Sequence, residues 1–278
     1  MIIDVHVHVF PPEIIHRIDD FTAEDDFLRD ICSSPVHKYA TVEDMLQEMD
    51  RFNVALALIS GFASSDPGLC RVMNDYVLQA AKANPGRFLP MAVVSPLDAG
   101  MEKEIARCHE RGAVGVGELF PWGQGFFLES SAAERLAGIC LERKLPLLLH
   151  VNESVGHDYV GKGTVHKKDA AQFAERHPDL TIIYAHWGGG LLFFELMPGL
   201  KDKLKNVYYD TAAGPFLYDK AIYRVAREIG VLDKVLLGTD YPLISPRRYL
   251  KEIAEAGLTK EEQALLLGEN ARRLFLGS

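Results

Sequence analysis

Two histidines and an aspartate alternate with apolar residues close to the amino terminus of the chain. Asp4, His6 and His8 form the pattern Asp-x-His-x-His. Side chains two residues apart project to the same face of a β-strand, so the pattern predicts all three on one face. Polar side chains on a buried strand face need partners, and neighbouring imidazoles suit a divalent metal ion. We therefore predict a metal site here, with Asp4 behind the histidines, either orienting a ring through a hydrogen bond or making a structural contact.

Four more ligand-type residues stand at the C-terminal ends of apolar runs further along the chain. They are Glu118, His150, His186 and Asp240. If the runs are parallel strands closed into a barrel, these ends meet at one mouth, and residues distant in sequence could surround one or two ions. Imidazole and carboxylate ligands without thiolate favour Zn²⁺, with Mn²⁺, Fe²⁺ or Co²⁺ as alternatives because such ligands discriminate weakly.

Short apolar runs rich in β-formers recur along the chain and would carry these residues. The predicted strands are Ile2–Val9, Val54–Ser60, Phe88–Val94, Ala113–Leu119, Pro146–His150, Thr181–Ala185, Val207–Asp210 and Val235–Gly238. Segments with helical periodicity lie between them. Three of these segments begin with patterns typical of a capping box, at Thr41 with Asp44, at Ser131 with Glu134 and at Thr259 with Glu262.

The alternation of strands and helices predicts parallel pairing, because each crossover returns the chain to the same end of the sheet. Eight such units indicate an α/β fold, a (β/α)₈ TIM barrel, with residues 1–278 as a single domain. An open doubly wound sheet is the alternative. Its dinucleotide-binding form requires G-x-G-x-x-G after the first strand, and that position lacks the motif.

The connections after the predicted first, fourth and fifth strands are long, and barrels place their active-site loops at this end. Trp122 and Trp187 could form the floor of a pocket for a ring, and His157 and Arg247 could hold an anionic group of a substrate. Packing between loops is the alternative for the two tryptophans. An ordinary surface position is the alternative for the other two.

The charge balance and the cysteines limit the classes of partner and location. The 278 residues carry 30 Lys and Arg against 39 Asp and Glu, a formal net charge of -9. This balance disfavours nucleic acid and anionic lipid, so we expect a small-molecule substrate and leave a homo-oligomer open. The 4 cysteines are widely spaced, the amino terminus lacks the basic region of a signal peptide, and no apolar run reaches the about 20 residues that span a bilayer. We therefore expect a cytoplasmic protein.

Five stretches, in this order, resemble the metal-dependent amidohydrolase superfamily, most closely its amidohydrolase-related (amidohydrolase 2) branch. They are Asp4-Val-His6-Val-His8, Leu-Leu-Leu-His150, Ala-His186-Trp-Gly-Gly-Gly, Leu-Gly-Thr-Asp240-Tyr-Pro and Glu269-Asn270-Ala271-Arg-Arg-Leu-Phe. They span nearly the whole chain. The resemblance implies a metalloenzyme built on a TIM barrel.

The resemblance also implies a role for each matching residue. His6, His8 and His150 would be metal ligands. Asp240 would be both a ligand and the base that takes a proton from bound water. His186 would either bind a second ion or stand free to polarise the substrate or shuttle protons.

Glu118 departs from the pattern of many two-metal members of the superfamily, which carry a carboxylated lysine at this place. It resembles the bridging glutamate of TatD-type metal-dependent nucleases and of some phosphotriesterase relatives, and in that role it would support a site for two ions. The alternative is a carboxylate that orients a ligand or contacts the substrate beside a single ion.

From the residues and the resemblance together, we expect a metal-dependent hydrolase. It would use water activated by a divalent ion to cleave a C–O or C–N bond in a small organic molecule. The alternative is a metal-dependent non-oxidative decarboxylase of an aromatic or muconate-type acid, a reaction that relatives in the same branch perform. A metal-dependent nuclease is a third interpretation, and the net charge of -9 disfavours it.

Overall fold

The computed structural model describes residues 1–156, 158–163 and 165–277. Within this part of the chain, eight strands form one parallel sheet in sequential order. They are β1 (Ile2–His8), β2 (Val54–Ser60), β3 (Phe88–Ala92), β4 (Gly115–Leu119), β5 (Leu147–Leu149), β6 (Ile182–Tyr184), β7 (Val207–Asp210) and β8 (Val235–Leu236). The Val5 amide donates to the Leu237 carbonyl at 2.8 Å, and the Asp240 amide donates to the His6 carbonyl at 2.9 Å. These bonds join β8 to β1, so the sheet closes and the predicted TIM barrel is confirmed.

Helices follow the strands and cover the outside of the barrel. They are α1 (Pro12–His16), α2 (Ile18–Thr22), α3 (Asp26–Cys32), α4 (Val42–Phe52), α5 (Pro67–Ala83), α6 (Met101–Glu110), α7 (Ser131–Glu142), α8 (Lys167–Arg176), α9 (Leu200–Lys203), α10 (Gly214–Leu217), α11 (Ile222–Ile229), α12 (Pro246–Glu255), α13 (Lys260–Ala264) and α14 (Asn270–Phe275). Tighter 3₁₀ turns occupy His186–Leu196 and Leu232–Lys234, and a wider π turn occupies Leu265–Glu269. Among the described residues, none of these helices combines the length and apolarity that a bilayer span requires.

The sequence patterns predict the strand bounds closely, and they predict two of three helix starts correctly. β2 and β7 have the predicted bounds, and the other strands are shorter by one or two residues, at one end or at both. The capping boxes at Thr41 and Thr259 are confirmed. The third is corrected by one residue, because the side chain of Ser130, not of Ser131, accepts the hydrogen bond from the Ala133 amide.

β1 does not alternate regularly. Asp4 pairs with Ala57 and Val7 pairs with Ile59, so β1 carries one more residue than β2 between these pairs. Val5 accordingly packs inside the barrel, whereas Val7 packs outside against the cluster beneath α4. The prediction that Asp4 shares a face with the two histidines of this strand is therefore wrong: the bulge turns Asp4 towards Thr239, whose hydroxyl donates to it at 2.6 Å.

The core has two layers, one inside the barrel and one between strands and helices. The inner layer contains apolar side chains of several strands, among them Ile3, Leu58, Leu148 and Ile183. The Ala271 side chain of α14 packs against this layer at the end opposite the mouth. The outer layer joins every side of the sheet to its helices. Burial of both layers fixes the strand ends that carry the polar residues of the mouth.

One buried carboxylate ties the loop after β1 to the loop after β2. Asp25 caps α3 by accepting from the Leu28 amide at 2.9 Å, and it accepts from the Ser64 hydroxyl at 2.7 Å and from the Ser65 amide at 2.8 Å. Burial raises the pKa of Asp25, and these hydrogen bonds outweigh burial and lower it below its usual value.

Replacing Asp25 with Ala should destabilise the protein by about 2 to 3 kcal/mol, because a helix cap is lost and buried donors lose their acceptor. The melting temperature should fall by roughly 4 to 8 °C in a thermal scan. Asp30→Ala is the matched control, since Asp30 lies exposed on the same helix and should change stability by less than about 0.5 kcal/mol. Equal melting temperatures for the two variants would contradict the assignment of this contact.

Candidate metal centre

Six ligand-type side chains meet at the mouth of the barrel in two groups of three. His6, His8 and Asp240 form the first group, and Glu118, His150 and His186 form the second. Within each group one donor atom of every residue lies within 4.8 Å of the others. The structure therefore brings together all six residues predicted as ligands, and each group could hold one divalent ion.

Glu118 lies between the two groups, and its two oxygens face different histidines. Oε2 is 3.3 Å from His6 Nε2 and 3.4 Å from His8 Nε2, whereas Oε1 is 2.9 Å from His150 Nδ1 and 3.2 Å from His186 Nε2. A carboxylate in this position can donate one oxygen to each of two ions. This arrangement is the one expected of a bridging ligand.

Hydrogen bonds behind the histidines set which ring nitrogen faces the centre. His6 Nδ1 lies 2.7 Å from Asp210 Oδ2, and His186 Nδ1 lies 3.0 Å from the Ala212 carbonyl. A carbonyl or carboxylate oxygen only accepts, so Nδ1 carries the proton in both rings and Nε2 presents its lone pair to the centre. His8 follows the same rule, with Nδ1 3.3 Å from the Gly61 carbonyl. The three rings are oriented as metal ligands are.

The charges of the centre are strongly coupled. Burial raises the pKa of Glu118, but His6 and His150 outweigh burial and hold it well below its usual value. Burial lowers the pKa of His6, and the carboxylates of Glu118 and Asp210 reverse this and hold it well above its usual value. For His186, burial is likewise outweighed by Glu118, which raises the pKa to about 9. Protons and a divalent ion compete for the same nitrogens, so loading the centre releases protons.

The backbone at two strand ends takes uncommon conformations that aim the ligands inward. Asp240 has φ 58° and His186 has φ 57°, in the left-handed region that non-glycine residues rarely enter. Gly238 allows β8 to approach β1, since a Cβ there would lie 2.8 Å from the His6 Cβ. Gly189, in the Gly-Gly-Gly run after His186, approaches the carbonyl of Asn152, which a Cβ would meet at 2.3 Å. Close chain approach thus explains this glycine.

A cavity of about 580 Å³ opens above the centre. Its walls are built mainly by the loops after β1, β5, β7 and β8. The lining residues are His8, Phe10, Ile31, Ser34, Val36, His37, Lys38, Phe62, Glu118, Phe120, His150, Tyr159, Val160, Gly161, His186, Ala213, Pro215, Phe216, Leu217, Asp240, Pro242 and Leu243. The size suits a small organic molecule, and most of the wall is apolar.

The residues predicted as substrate contacts do not join the centre. Trp187 is fully buried and packs edge-on against Tyr223, and Trp122 is 43% exposed and packs against Phe27. Arg247 is exposed at the start of α12. Within the described chain, these three are not among the residues that line the cavity. His157 lies outside the described residues.

Two residues of the site escaped the sequence analysis. Asp210 ends β7 as the other ligand-type residues end their strands, and this position could have identified it. Of the two roles expected of Asp4, ring orientation falls to Asp210, and Asp4 makes the structural contact: it accepts from the His6 amide at 3.3 Å and from Thr239. His37 lies in the long first loop, where no periodicity points to it.

Asp210 joins the two groups, because its Oδ2 bonds the His6 ring and its Oδ1 accepts from the His186 amide at 2.9 Å. In Asp210→Asn, an amide nitrogen facing His6 Nδ1 would favour the proton on Nε2, where an ion should bind. We expect metal affinity to fall by about 10- to 100-fold at one of the two positions, measured by chelator competition. Asp233→Asn, at an exposed position, is the control. Unchanged affinity would show that Asp210 does not position a ligand.

The sequence profile of the amidohydrolase family matches residues 3–276. No curated protein matches the chain significantly. Among solved structures, 5-carboxyvanillate decarboxylase from Sphingomonas paucimobilis is similar, with 19% identity, 99% of this chain and 98% of that chain covered, and a TM-score of 0.79. The 5-carboxyvanillate decarboxylase from Novosphingobium aromaticivorans, complexed with manganese and a nitrobenzoic acid, has 17% identity, 99% and 96% coverage, and a TM-score of 0.73.

A probable 2-pyrone-4,6-dicarboxylic acid hydrolase from Acinetobacter baumannii shares the fold at 19% identity, with 99% of this chain and 98% of that chain covered and a TM-score of 0.65. These likenesses agree with the barrel described above. Because the family profile spans nearly the whole chain, from residue 3 to residue 276, this protein is an enzyme of the amidohydrolase family.

Proposed function

We propose that this protein is a metal-dependent hydrolase that cleaves a C–O or C–N bond in a small organic molecule. The observation that carries the proposal is the position of Glu118, whose two oxygens each face a different pair of histidines. Two ions bridged by a carboxylate form a site suited to hydrolysis, because one substrate oxygen and one water are held side by side.

His6, His8 and Asp240 would hold the first ion, His150 and His186 the second, and Glu118 both. When bound, the ions supply Lewis acidity that polarises an oxygen of the substrate and lowers the pKa of water. Imidazole and carboxylate donors fit Zn²⁺, which we propose, and Mn²⁺ fits the same donors. Manganese is present in one of the similar structures.

Asp240 is the residue we assign as the general base. Its side chain keeps 14% exposure, against 2% for Glu118, and it lines the cavity. Its Oδ1 lies 3.8 Å from His6 Nε2 and 3.6 Å from His8 Nε2, so it stands beside the first ion position and also faces the substrate. It can take a proton from an attacking water and return it to the leaving group.

His186 serves in this proposal as a ligand, because its Nδ1 proton is committed to the Ala212 carbonyl and its Nε2 faces Glu118 and His150. With only the first ion present, Nε2 would be available to bond the substrate instead. The apolar walls of the cavity exclude water around the reacting bond. This exclusion strengthens the interaction of His186 with an ion and, in the other case, with the substrate.

A decarboxylase of an aromatic acid is the second candidate. Phe62 and Phe120 stack in the cavity wall with ring centroids 4.8 Å apart, a surface that fits a planar ring. Two of the similar structures carry names of aromatic acid decarboxylases. In this reaction an ion orients the substrate and no water attacks, so Asp240 would donate a proton to the ring rather than take one from water.

The number of ions tests the bridging role of Glu118. After reconstitution with Zn²⁺ and removal of excess, the wild-type chain should hold about two ions by elemental mass spectrometry, and Glu118→Gln should hold one or fewer, because the amide offers one weak donor oxygen in place of two anionic ones. Glu129→Gln, at an exposed position, should keep both. A wild-type content of one ion that Glu118→Gln leaves unchanged would rule out a bridge.

The fate of water separates the two reactions. A panel of lactones, aryl esters, amides and aromatic acids would be incubated with loaded enzyme in ¹⁸O-water. We expect one ¹⁸O atom in the product without release of carbon dioxide, and a loss of at least about 100-fold in kcat for Asp240→Asn, since the base is removed. Asp233→Asn should retain full activity. Release of carbon dioxide from an aromatic acid, with no ¹⁸O gained, would replace the proposed hydrolase by the decarboxylase.

A further inference from the structure

One side of the cavity is an aromatic wall that begins at the metal centre. The Phe62 ring packs against His8 with centroids 4.9 Å apart and stacks on Phe120, which in turn lies 4.9 Å from His150. A planar ring laid against this wall would bring one edge to the ions. Its opposite edge would then face the residues of the loop after β1.

His37 is one of the residues of that loop that line the cavity. The Phe62 ring packs against both His37, at 5.9 Å between centroids, and the predicted ligand His8, at 4.9 Å. Phe10 and Tyr39 hold the same imidazole edge-on, at 6.0 Å and 4.7 Å between centroids. One aromatic side chain thus contacts both His37 and a predicted ligand, and the orientation of His37 is held by packing.

The imidazole of His37 makes no hydrogen bond with the described residues, although it lines the cavity, and its Nε2 is buried. A buried polar group without a partner is unfavourable, because the hydrogen bond that it made with water is not replaced. A phenylalanine would pack among Phe10, Tyr39 and Phe62 without this cost. The structure thus contains an unpaired polar group at a position where an apolar one would be more stable, and a bound ligand could supply the missing partner.

The charge around His37 limits what that partner can be. Burial and, to a smaller extent, His8 lower the pKa of His37 to about 4, and Asp240 opposes them only in part. A neutral imidazole offers one donor and one acceptor and no positive charge. Of the described residues that line the cavity, Lys38 is the one lysine or arginine, and its ammonium donates to the Leu243 carbonyl at 2.9 Å. Against His37 itself a carboxylate would meet a neutral ring, while the one ammonium of the lining is held at the Leu243 carbonyl.

We propose that His37 determines specificity by hydrogen bonding to an uncharged polar substituent, such as a hydroxyl or an amide, carried about one ring away from the reacting group of the substrate. The substrate is then a planar ring compound with one group at the ions and a neutral polar group at the far edge. A second anionic group at that edge is rejected. This inference rests on the proposed use of the metal centre for binding the reacting group.

The test is a comparison of three probes by isothermal titration calorimetry on the metal-loaded protein. Benzoate has a carboxylate for the ions, 4-hydroxybenzoate adds a hydroxyl at the opposite edge, and terephthalate adds a second carboxylate there. The wild type should bind 4-hydroxybenzoate about 3- to 10-fold more tightly than benzoate, the gain of one hydrogen bond, and should bind terephthalate no more tightly than benzoate.

The variants separate a hydrogen bond from a change in packing. His37→Phe should bind benzoate like the wild type and lose the preference for the hydroxyl, and His37→Asn, which keeps a donor and an acceptor, should retain part of it. His109→Phe, at an exposed position on α6, should match the wild type. The proposal would be overturned if the preference for the hydroxyl survives in His37→Phe, or if the wild type binds benzoate and 4-hydroxybenzoate equally. It would also be overturned if terephthalate binds most tightly, or if no probe binds.

The two proposals fail in different experiments. Calorimetry requires no turnover, so the preference for the hydroxyl can hold even if the ¹⁸O measurement shows decarboxylation instead of hydrolysis. Conversely, hydrolysis could be confirmed while the preference for the hydroxyl proves independent of His37. The proposed reaction would then stand, and only the proposed role of His37 would be rejected.

Discussion

The structure depends on a carboxylate that is buried at the mouth of the barrel. Glu118 is 2% exposed, and an isolated charge at such a place costs many times the stability of a domain unless cationic or hydrogen-bonding groups surround it. Four histidine nitrogens lie within 3.4 Å of its two oxygens. The histidines that face it come from the ends of three strands other than its own, so no local segment could satisfy it. Only a closed sheet brings these strand ends to one point.

Closure of the sheet does not by itself orient the ligand-type side chains. Their orientation is set by contacts on the side facing away from the centre. The bulge in β1 turns Asp4 out of the barrel to bind Thr239 and leaves His6 facing inward, where Asp210 holds its ring. Asp210 also accepts from the backbone of His186, so the same carboxylate sets one ligand of each group. The two groups of ligand-type residues are therefore linked through Asp210 as well as through Glu118.

Features that follow from short-range periodicity could be predicted from the sequence. The strands, the barrel and the six ligand-type residues at strand ends all follow from apolar runs and the residues that terminate them. The bulge in β1 could not be predicted, because an extra residue in a strand is decided by its pairing with β2 and leaves the local pattern unchanged. The sequence therefore left two roles open for Asp4, of which the structure shows the structural contact with Thr239, while Asp210 lies behind the His6 ring.

The positions of loop residues could not be predicted from the sequence, and the reason is physical. Trp187 follows the strand-end ligand His186 directly, which suggests a place at the mouth, yet its left-handed backbone turns the ring into the outer core beside Tyr223. The loop after β1 folds into three short helices that bring His37 over the cavity, and such placement depends on tertiary contacts such as those of Asp25. Sequence proximity to a ligand is thus a poor guide to the pocket wall.

This division between strand ends and loops explains how one fold can be shared by proteins named as decarboxylases and as a hydrolase. The ligands are supplied by strands whose register is fixed by the core, whereas the cavity wall is supplied by loops that vary freely. In this chain both oxygens of Glu118 are committed to histidines, and Asp240 is the carboxylate that faces the cavity. The carboxylate that we propose as the proton acceptor therefore stands on the cavity side of the centre. Whether it meets a water or a ring carbon is decided by how the loops, with His37 among them, position the substrate.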